Sequence, residues 1–217
     1  MINSVNNLIS IQDILKIKNK KLKNPTIVAV SKTFPIEDIY PLINHGHEHY
    51  GENKVQEAIE KWQNIKDDFP NIKLHMIGKL QTNKVKHAVK LFDYIHSLDS
   101  FKLAEKISSE QIKINKNIKI FIQINIGNED QKVGIDIDQL ESFYDKCTKD
   151  LSLNIIGLMC LPPKINNSSN YFLKMKELLI NVNLKELSMG MSSDYLKAAE
   201  FDSTYLRIGS KIFGERV

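Results

Sequence analysis

Short apolar runs alternate with helical patterns along almost the whole chain, and no other feature of the sequence restricts its fold as strongly. The runs are rich in Ile, Val and Leu and are bounded by Gly, Pro or polar residues, which predicts buried strands. They are TIVAVS at 26–31, a short strand within HEHYGEN, then IKLHMIG, YIHSL, IKIFIQINIG, NIIGLM, KELSMG and TYLRIG. Helical spacing follows each of them, at 36–44, 55–65, 84–91, 101–114, 137–148, 171–182, 193–201 and 211–213. One further helix is predicted ahead of the first strand from Val5, Leu8, Ile9 and Leu15. Parallel strands need helical crossovers of this kind. About eight strand–helix pairs is the number that closes a (β/α)8 barrel. An open doubly wound sheet is the alternative on pattern alone. The expected fold is α/β, a single TIM barrel with an extra N-terminal helix, in one domain over residues 1–217. PPKINNSSN at 162–170 is the most loop-like stretch, and no low-complexity linker divides the chain.

Composition narrows the function classes. At 217 residues the chain is long enough to bury a core without disulfides or a structural metal. With 42% hydrophobic and 26% charged residues it reads as globular rather than disordered. A net charge of +4, without clustering, is too small an excess to predict a nucleic-acid footprint. No apolar run reaches the length of a membrane span, and MINSVNNLIS lacks the basic start and apolar block of a signal peptide. Cys147 and Cys160 do not make a disulfide framework. A reducing cytoplasm is the expected location, with no membrane and no nucleic acid among the partners.

In a parallel barrel the active groups project from the C-terminal ends of the strands. Lys32 directly follows the apolar run VAVS. An amine held there against apolar walls or other cations can attack a carbonyl, although a lysine at a strand end can equally snorkel to solvent. Two Gly-Ser loops follow the seventh and eighth strands, in SMGMSS and RIGSKIFG. Barrels commonly bind phosphate with these two loops, through backbone N–H groups and hydroxyls. Ser188, Ser192 and Ser210 supply candidate hydroxyls. A strand-end amine opposite two such loops predicts a small ligand carrying both a carbonyl and a phosphate. Of 30 Lys and Arg residues, two are arginine, Arg207 and Arg216. A guanidinium differs from an ammonium in being planar, forked and unable to lose its proton, so Arg207 beside the last Gly-Ser loop is a candidate for a specific contact. His45, His47 and His49 have the look of metal spacing, but no further ligand cluster accompanies them and no metal is expected. His75 and His96 fall in strand patterns and read as core or mouth histidines making ordinary hydrogen bonds, and Cys160 as a small apolar filler.

The segments VAVSKTFP, YGENKVQEA, LHMIGKLQTNK, IHSLDS, IQINIGNEDQKVG, GLMCLPP, LSMGMSSDYLKAA and STYLRIGSKIFGER occur in this order. Together they strongly resemble the pyridoxal-phosphate homeostasis proteins, also called the proline-synthase co-transcribed family, from about residue 26 to 216. That family is related in fold to the barrel domain of alanine racemase and lacks the racemase's β-rich second domain. The resemblance implies pyridoxal 5′-phosphate as cofactor, held as an internal imine by Lys32. It implies that Arg207 lies by the pyridine nitrogen, that Ser188, Gly209 and Ser210 hold the phosphate, and that Asn53 lies near the ring. Lys54, Leu74, Asp202 and Ser210 depart mildly from the family pattern. Arginine beside the pyridine nitrogen leaves it unprotonated and a poor electron sink, which favours a carrier over a catalyst. The function implied is a protein that buffers or delivers the cofactor without robust catalysis, with apo forms of cofactor-dependent enzymes as possible recipients. A cofactor-dependent racemase or another imine-forming barrel enzyme is the alternative. A monomer is expected, because the racemase pairs through its missing domain.

Overall fold

The computed structural model describes residues 3–18, 24–127, 133–163 and 168–215. Its eight strands are β1 (Thr26–Val30), β2 (His49–Glu52), β3 (Lys73–Met76), β4 (Tyr94–Leu98), β5 (Lys119–Ile124), β6 (Asn154–Cys160), β7 (Glu186–Ser188) and β8 (Tyr205–Ile208). They pair in sequence order and in parallel, and β8 pairs back onto β1 from Thr26↔Tyr205 to Ala29↔Ile208. The sheet is therefore a closed barrel and the open-sheet alternative is discarded. Its helices are α1 (Ser4–Lys18), α2 (Ile36–Asn44), α3 (Val55–Trp62), α4 (Ile65–Asp68), α5 (Val85–Leu91), α6 (Phe101–Lys113), α7 (Leu140–Asp145), α8 (Ser169–Asn181), α9 (Tyr195–Glu200) and α10 (Ser210–Phe213). α4 is a single turn that the sequence pattern misses. Arg216 and residues 164–167 of the PPKINNSSN loop lie outside the described residues.

Successive strand residues point to opposite faces of a sheet. The outward set, including Ile27, Leu74, Ile95, Ile120, Leu158, Leu187 and Leu206, joins the helices in one large apolar core. The alternate set points into the barrel. There Val28, Tyr94, Phe121, Met159 and Tyr205 form a separate cluster. His75, His96, Ser188 and Arg207 share its parity and are buried as well. The barrel interior is thus filled by aromatic and polar side chains, not by a second aliphatic core.

Helix α1 buries Leu8, Ile11 and Leu15. Its Asn7 side-chain amide donates to the Ile212 carbonyl at 2.9 Å. It thereby braces α10, whose Phe213 stacks on Phe34 with ring centroids 5.0 Å apart. Phe34 and α10 both border the barrel mouth.

Candidate functional site

A cavity of about 830 Å³ opens at the C-terminal ends of the strands. Lys32, Asn53, Arg207, Gly209 and Ser210 all line it, together with Ser192 and Ser193. Five of the six residues expected from the sequence therefore converge on one volume, although they come from three separated stretches of chain.

Lys32 is half-buried in the turn after β1. That turn is tied down from outside the barrel. Ser31 Oγ donates to Glu52 Oε1 at 2.8 Å, and its N–H donates to the Gly51 carbonyl at 3.0 Å. Lys61 Nζ donates to the Ser31 carbonyl at 2.8 Å and to Glu52 Oε1 at 2.9 Å. Trp62 Nε1 adds a third donor to the same oxygen at 3.0 Å. The Thr33 N–H donates to Glu57, which holds Thr33 at φ 68°, in the left-handed region that a β-branched residue seldom adopts. Glu52 is fully buried and Lys61 nearly so. A buried carboxylate of this kind persists because its charge is paired and hydrogen-bonded. Nothing in the sequence singles out Glu52, Lys61 or Trp62 for this role. The nine-residue step from Glu52 to Lys61 brings them together through the turn from β2 into α3.

Asn53 owes its place to Gly78. A Cβ on Gly78 would stand 2.4 Å from the Asn53 carbonyl oxygen, so only glycine lets the end of β3 approach so closely. Gly190, at φ +90°, makes the turn after β7, where a Cβ would lie 2.5 Å from that of Ala198. This turn is fixed by the Met191 N–H on Asp194 Oδ1 at 2.7 Å and by the Arg207 N–H on the Gly190 carbonyl at 3.0 Å. It presents Ser192, whose Oγ accepts from the N–H groups of Gly209 and Lys211 at 3.3 and 3.4 Å. These bonds are long, and an acceptor oxygen already occupies the point where the N–H groups converge. The two Gly-Ser loops therefore meet at one end of the cavity.

Arg207 reaches the cavity from below. Its NH1 donates to Ser188 Oγ at 2.5 Å and its NH2 to the Cys160 carbonyl at 2.8 Å. Among the described residues no carboxylate forms an ion pair with it, and burial draws its pKa below the usual arginine value, opposed by Cys160 and Asp194. Burial pushes the Cys160 thiol up to about 12, so it is no nucleophile at neutral pH.

Ser188, the sixth expected residue, lies deeper than the other five. It is fully buried, does not line the cavity, and its hydroxyl is engaged by Arg207 and by His96 Nδ1 at 2.8 Å. The reason is parity. Ser188 is the inward-pointing residue of β7, one layer below the loop, whereas Ser192 lies in the loop itself. His49, read beside His45 and His47, belongs to the barrel interior, with Nδ1 2.9 Å from His75 Nε2.

Residues 7–217 match the family model described as alanine racemase, N-terminal domain. The chain is 38% identical to the pyridoxal phosphate homeostasis protein of Aquifex aeolicus, over 88% of this chain and 86% of that one. It is 37% identical to the human protein of the same name, over 88% of this chain and 77% of that one. Among solved structures, PipY of Synechococcus elongatus with PLP bound superposes with a TM-score of 0.81 at 33% identity, covering 94% of this chain and all of that one. Alanine racemase from Clostridium difficile superposes with a TM-score of 0.75 at 14% identity, and the alignment covers 99% of this chain but 57% of the racemase. That last likeness is one of fold.

Proposed function

Since the chain belongs to the pyridoxal phosphate homeostasis proteins and has the fold of the alanine racemase N-terminal domain, we propose that it binds pyridoxal 5′-phosphate in the mouth cavity and buffers or delivers it, without robust catalysis of its own. The observation that carries this reading is the meeting of Lys32, Arg207 and the two Gly-Ser loops around one cavity. When bound, the cofactor supplies an aldehyde that is electrophilic toward primary amines, a pyridine nitrogen that accepts a hydrogen bond, and a phosphate dianion.

The residues present fit each of these groups. Lys32 offers a primary amine held by a braced turn. Arg207 offers N–H donors from a buried cation that has no acidic partner among the described residues. A guanidinium can donate to a ring nitrogen but cannot accept from a protonated one, so Arg207 favours the unprotonated ring. Gly209 and Ser210, with Ser192 in place of Ser188, offer backbone and hydroxyl donors to an anion. Asn53 lies in the same wall. Among the described residues, the titratable side chains lining the cavity are Lys32, Lys79, Arg207 and Glu215, with no histidine or tyrosine. A racemase needs an acid or base on each face of its substrate, and this lining supports the carrier reading.

The test is borohydride reduction of the protein loaded with pyridoxal 5′-phosphate, followed by peptide mapping. The cofactor mass should be fixed on Lys32 and lost from that peptide in Lys32→Ala. Pyridoxal without its phosphate should load far more weakly. An adduct on another lysine, or equal loading of the two vitamers, would refute the site.

A further inference from the structure

A chain of hydrogen bonds runs through the barrel interior from the floor to Arg207. His49 Nδ1 lies 2.9 Å from His75 Nε2. His75 Nδ1 lies 2.9 Å from His96 Nε2. His96 Nδ1 lies 2.8 Å from Ser188 Oγ, which accepts from Arg207 NH1 at 2.5 Å. The four links join β2, β3, β4, β7 and β8. His75 and His96 are fully buried. His49 is half-buried and lines a second cavity, of about 320 Å³, at the opposite end of the barrel beside Lys16, Asn24 and His47.

Donor accounting gives this chain a direction. A guanidinium can only donate, so Ser188 Oγ accepts from Arg207. The buried Ser188 hydroxyl must then place its own hydrogen, and among the described residues its one other partner is His96 Nδ1. His96 Nδ1 is therefore an acceptor, and its proton is on Nε2. That N–H donates to His75 Nδ1, so the proton of His75 is also on Nε2. By the same step His75 donates to His49 Nδ1, which leaves His49 with its proton on Nε2. The opposite sense would satisfy the three rings equally well, but it would strand the Ser188 hydrogen inside the barrel. A second proton would set N–H against N–H at His49 and His75, and N–H against the Ser188 O–H at His96. Burial holds His75 and His96 well below the ordinary histidine pKa, and the Arg207 charge adds to this at His96.

We propose that Ser188, His96, His75 and His49 are positioning residues for Arg207, forming one directional relay in which all three imidazoles are Nε2–H tautomers and the sense is set at the Arg207 end. The relay takes one NH1 donor and the Cys160 carbonyl one NH2 donor, and the guanidinium so held borders the cavity. This explains why Ser188 faces inward rather than joining Ser192 in the mouth.

The experiment needs no ligand, so its outcome is independent of whether the cofactor reading holds. Long-range ¹H–¹⁵N correlation of ¹⁵N-histidine-labelled full-length protein, without cofactor, reports the tautomer of each ring. His75 and His96 should each be a single Nε2–H species, and an Nδ1–H tautomer at either would overturn the proposal. Arg207→Gln puts an amide that both donates and accepts beside Ser188, so both senses become satisfiable. His75, which touches neither residue, should then lose its single tautomer and show a mixture. Arg207→Lys, again a donor without an acceptor, should keep the single species. His49→Ala removes the floor end and should leave the sense at His96 unchanged. Rings acting as separate fillers would show the reverse pattern, with His75 responding to His49→Ala and not to Arg207→Gln, and that result would also overturn the relay. If Arg207→Gln does not fold, the native tautomers and His49→Ala still decide the question.

Discussion

The two faces of the barrel sheet are built from opposite chemistries. The outer face is aliphatic and meets apolar helix faces, so its stability is additive and tolerant of shape, at roughly 25 cal/mol for each Å² removed from water. The inner face has few aliphatic members and depends on hydrogen bonds in which each group has one acceptable role. An apolar core loses stability in proportion to what is removed. A buried polar chain is satisfied or broken as a unit, because an unpaired buried donor costs more than a made bond gains. The functional cation therefore sits at the end of the less forgiving face.

Acid should separate the two faces most strongly. Burial depresses the pKa of His47, to about 4, and also those of His49, His75 and His96. These rings are neutral in the folded state and charge on unfolding. Their contribution is complete above the unfolded value of about 6.5 and is lost as pH falls toward the folded values. Each ring contributes up to about 1.4 kcal/mol per pH unit in that window. The urea midpoint should fall steeply between pH 6.5 and 4, and a flat profile across that range would contradict buried neutral rings.

A cavity in the outer face comes next. Phe172 is fully buried on α8, and Phe172→Ala should cost about 3–5 kcal/mol by urea unfolding. The affinity of the remaining folded protein for pyridoxal 5′-phosphate should be unchanged, because the residue is remote from the mouth lining. A parallel loss of affinity would show that the two faces are not independent.

Glu52 is the charged exception on the outer face, and it sharpens the contrast. Lys61→Met leaves its carboxylate buried with Trp62 and Ser31 as donors but no cation. The expected cost is about 3 kcal/mol. The double variant Glu52→Gln, Lys61→Met should recover most of it, and a double-mutant cycle with no coupling would remove this pair from the account of how the Lys32 turn is held.

The smallest stability effect belongs to the inner face. Arg207→Met removes a desolvated cation but leaves the Ser188 hydroxyl and the Cys160 carbonyl without their donor, so stability should fall by about 1–2 kcal/mol. Cofactor affinity should nevertheless fall by about tenfold or more, as for losing one charge-assisted hydrogen bond. Calorimetry and equilibrium dialysis read the two quantities separately.

Much of this was legible in the chain. TIVAV, YIHSL and KIFIQI show strand chemistry without help, and Gly190 and Gly209 mark the loops that meet at the mouth. Lys32, Arg207, Gly209 and Ser210 were reachable because loop residues at strand ends converge in any closed parallel barrel, whereas Asn53 was reachable through the family resemblance. Which serine of SMGMSS borders the mouth was not legible, because the segment offers several hydroxyls and the one that faces the barrel depends on where β7 ends. One residue of difference exchanges inside for outside.

By itself, then, the sequence determined the periodicity, and with it the barrel, the mouth and the amine and guanidinium that border it. These follow from local rules, in which apolar spacing selects strand or helix and glycine permits the turns. Tertiary structure alone decided that Glu52, Lys61 and Trp62 hold the Lys32 turn, that Ser192 and not Ser188 borders the mouth cavity, and that three histidines align beneath Arg207. His49, His75 and His96 lie more than twenty residues apart, and they touch because the stagger of a closed barrel brings inward residues of neighbouring strands to adjacent heights. Hydrogen-bond direction is a property of that closure, since each ring's role is fixed by the partner above it and not by its neighbours in the chain.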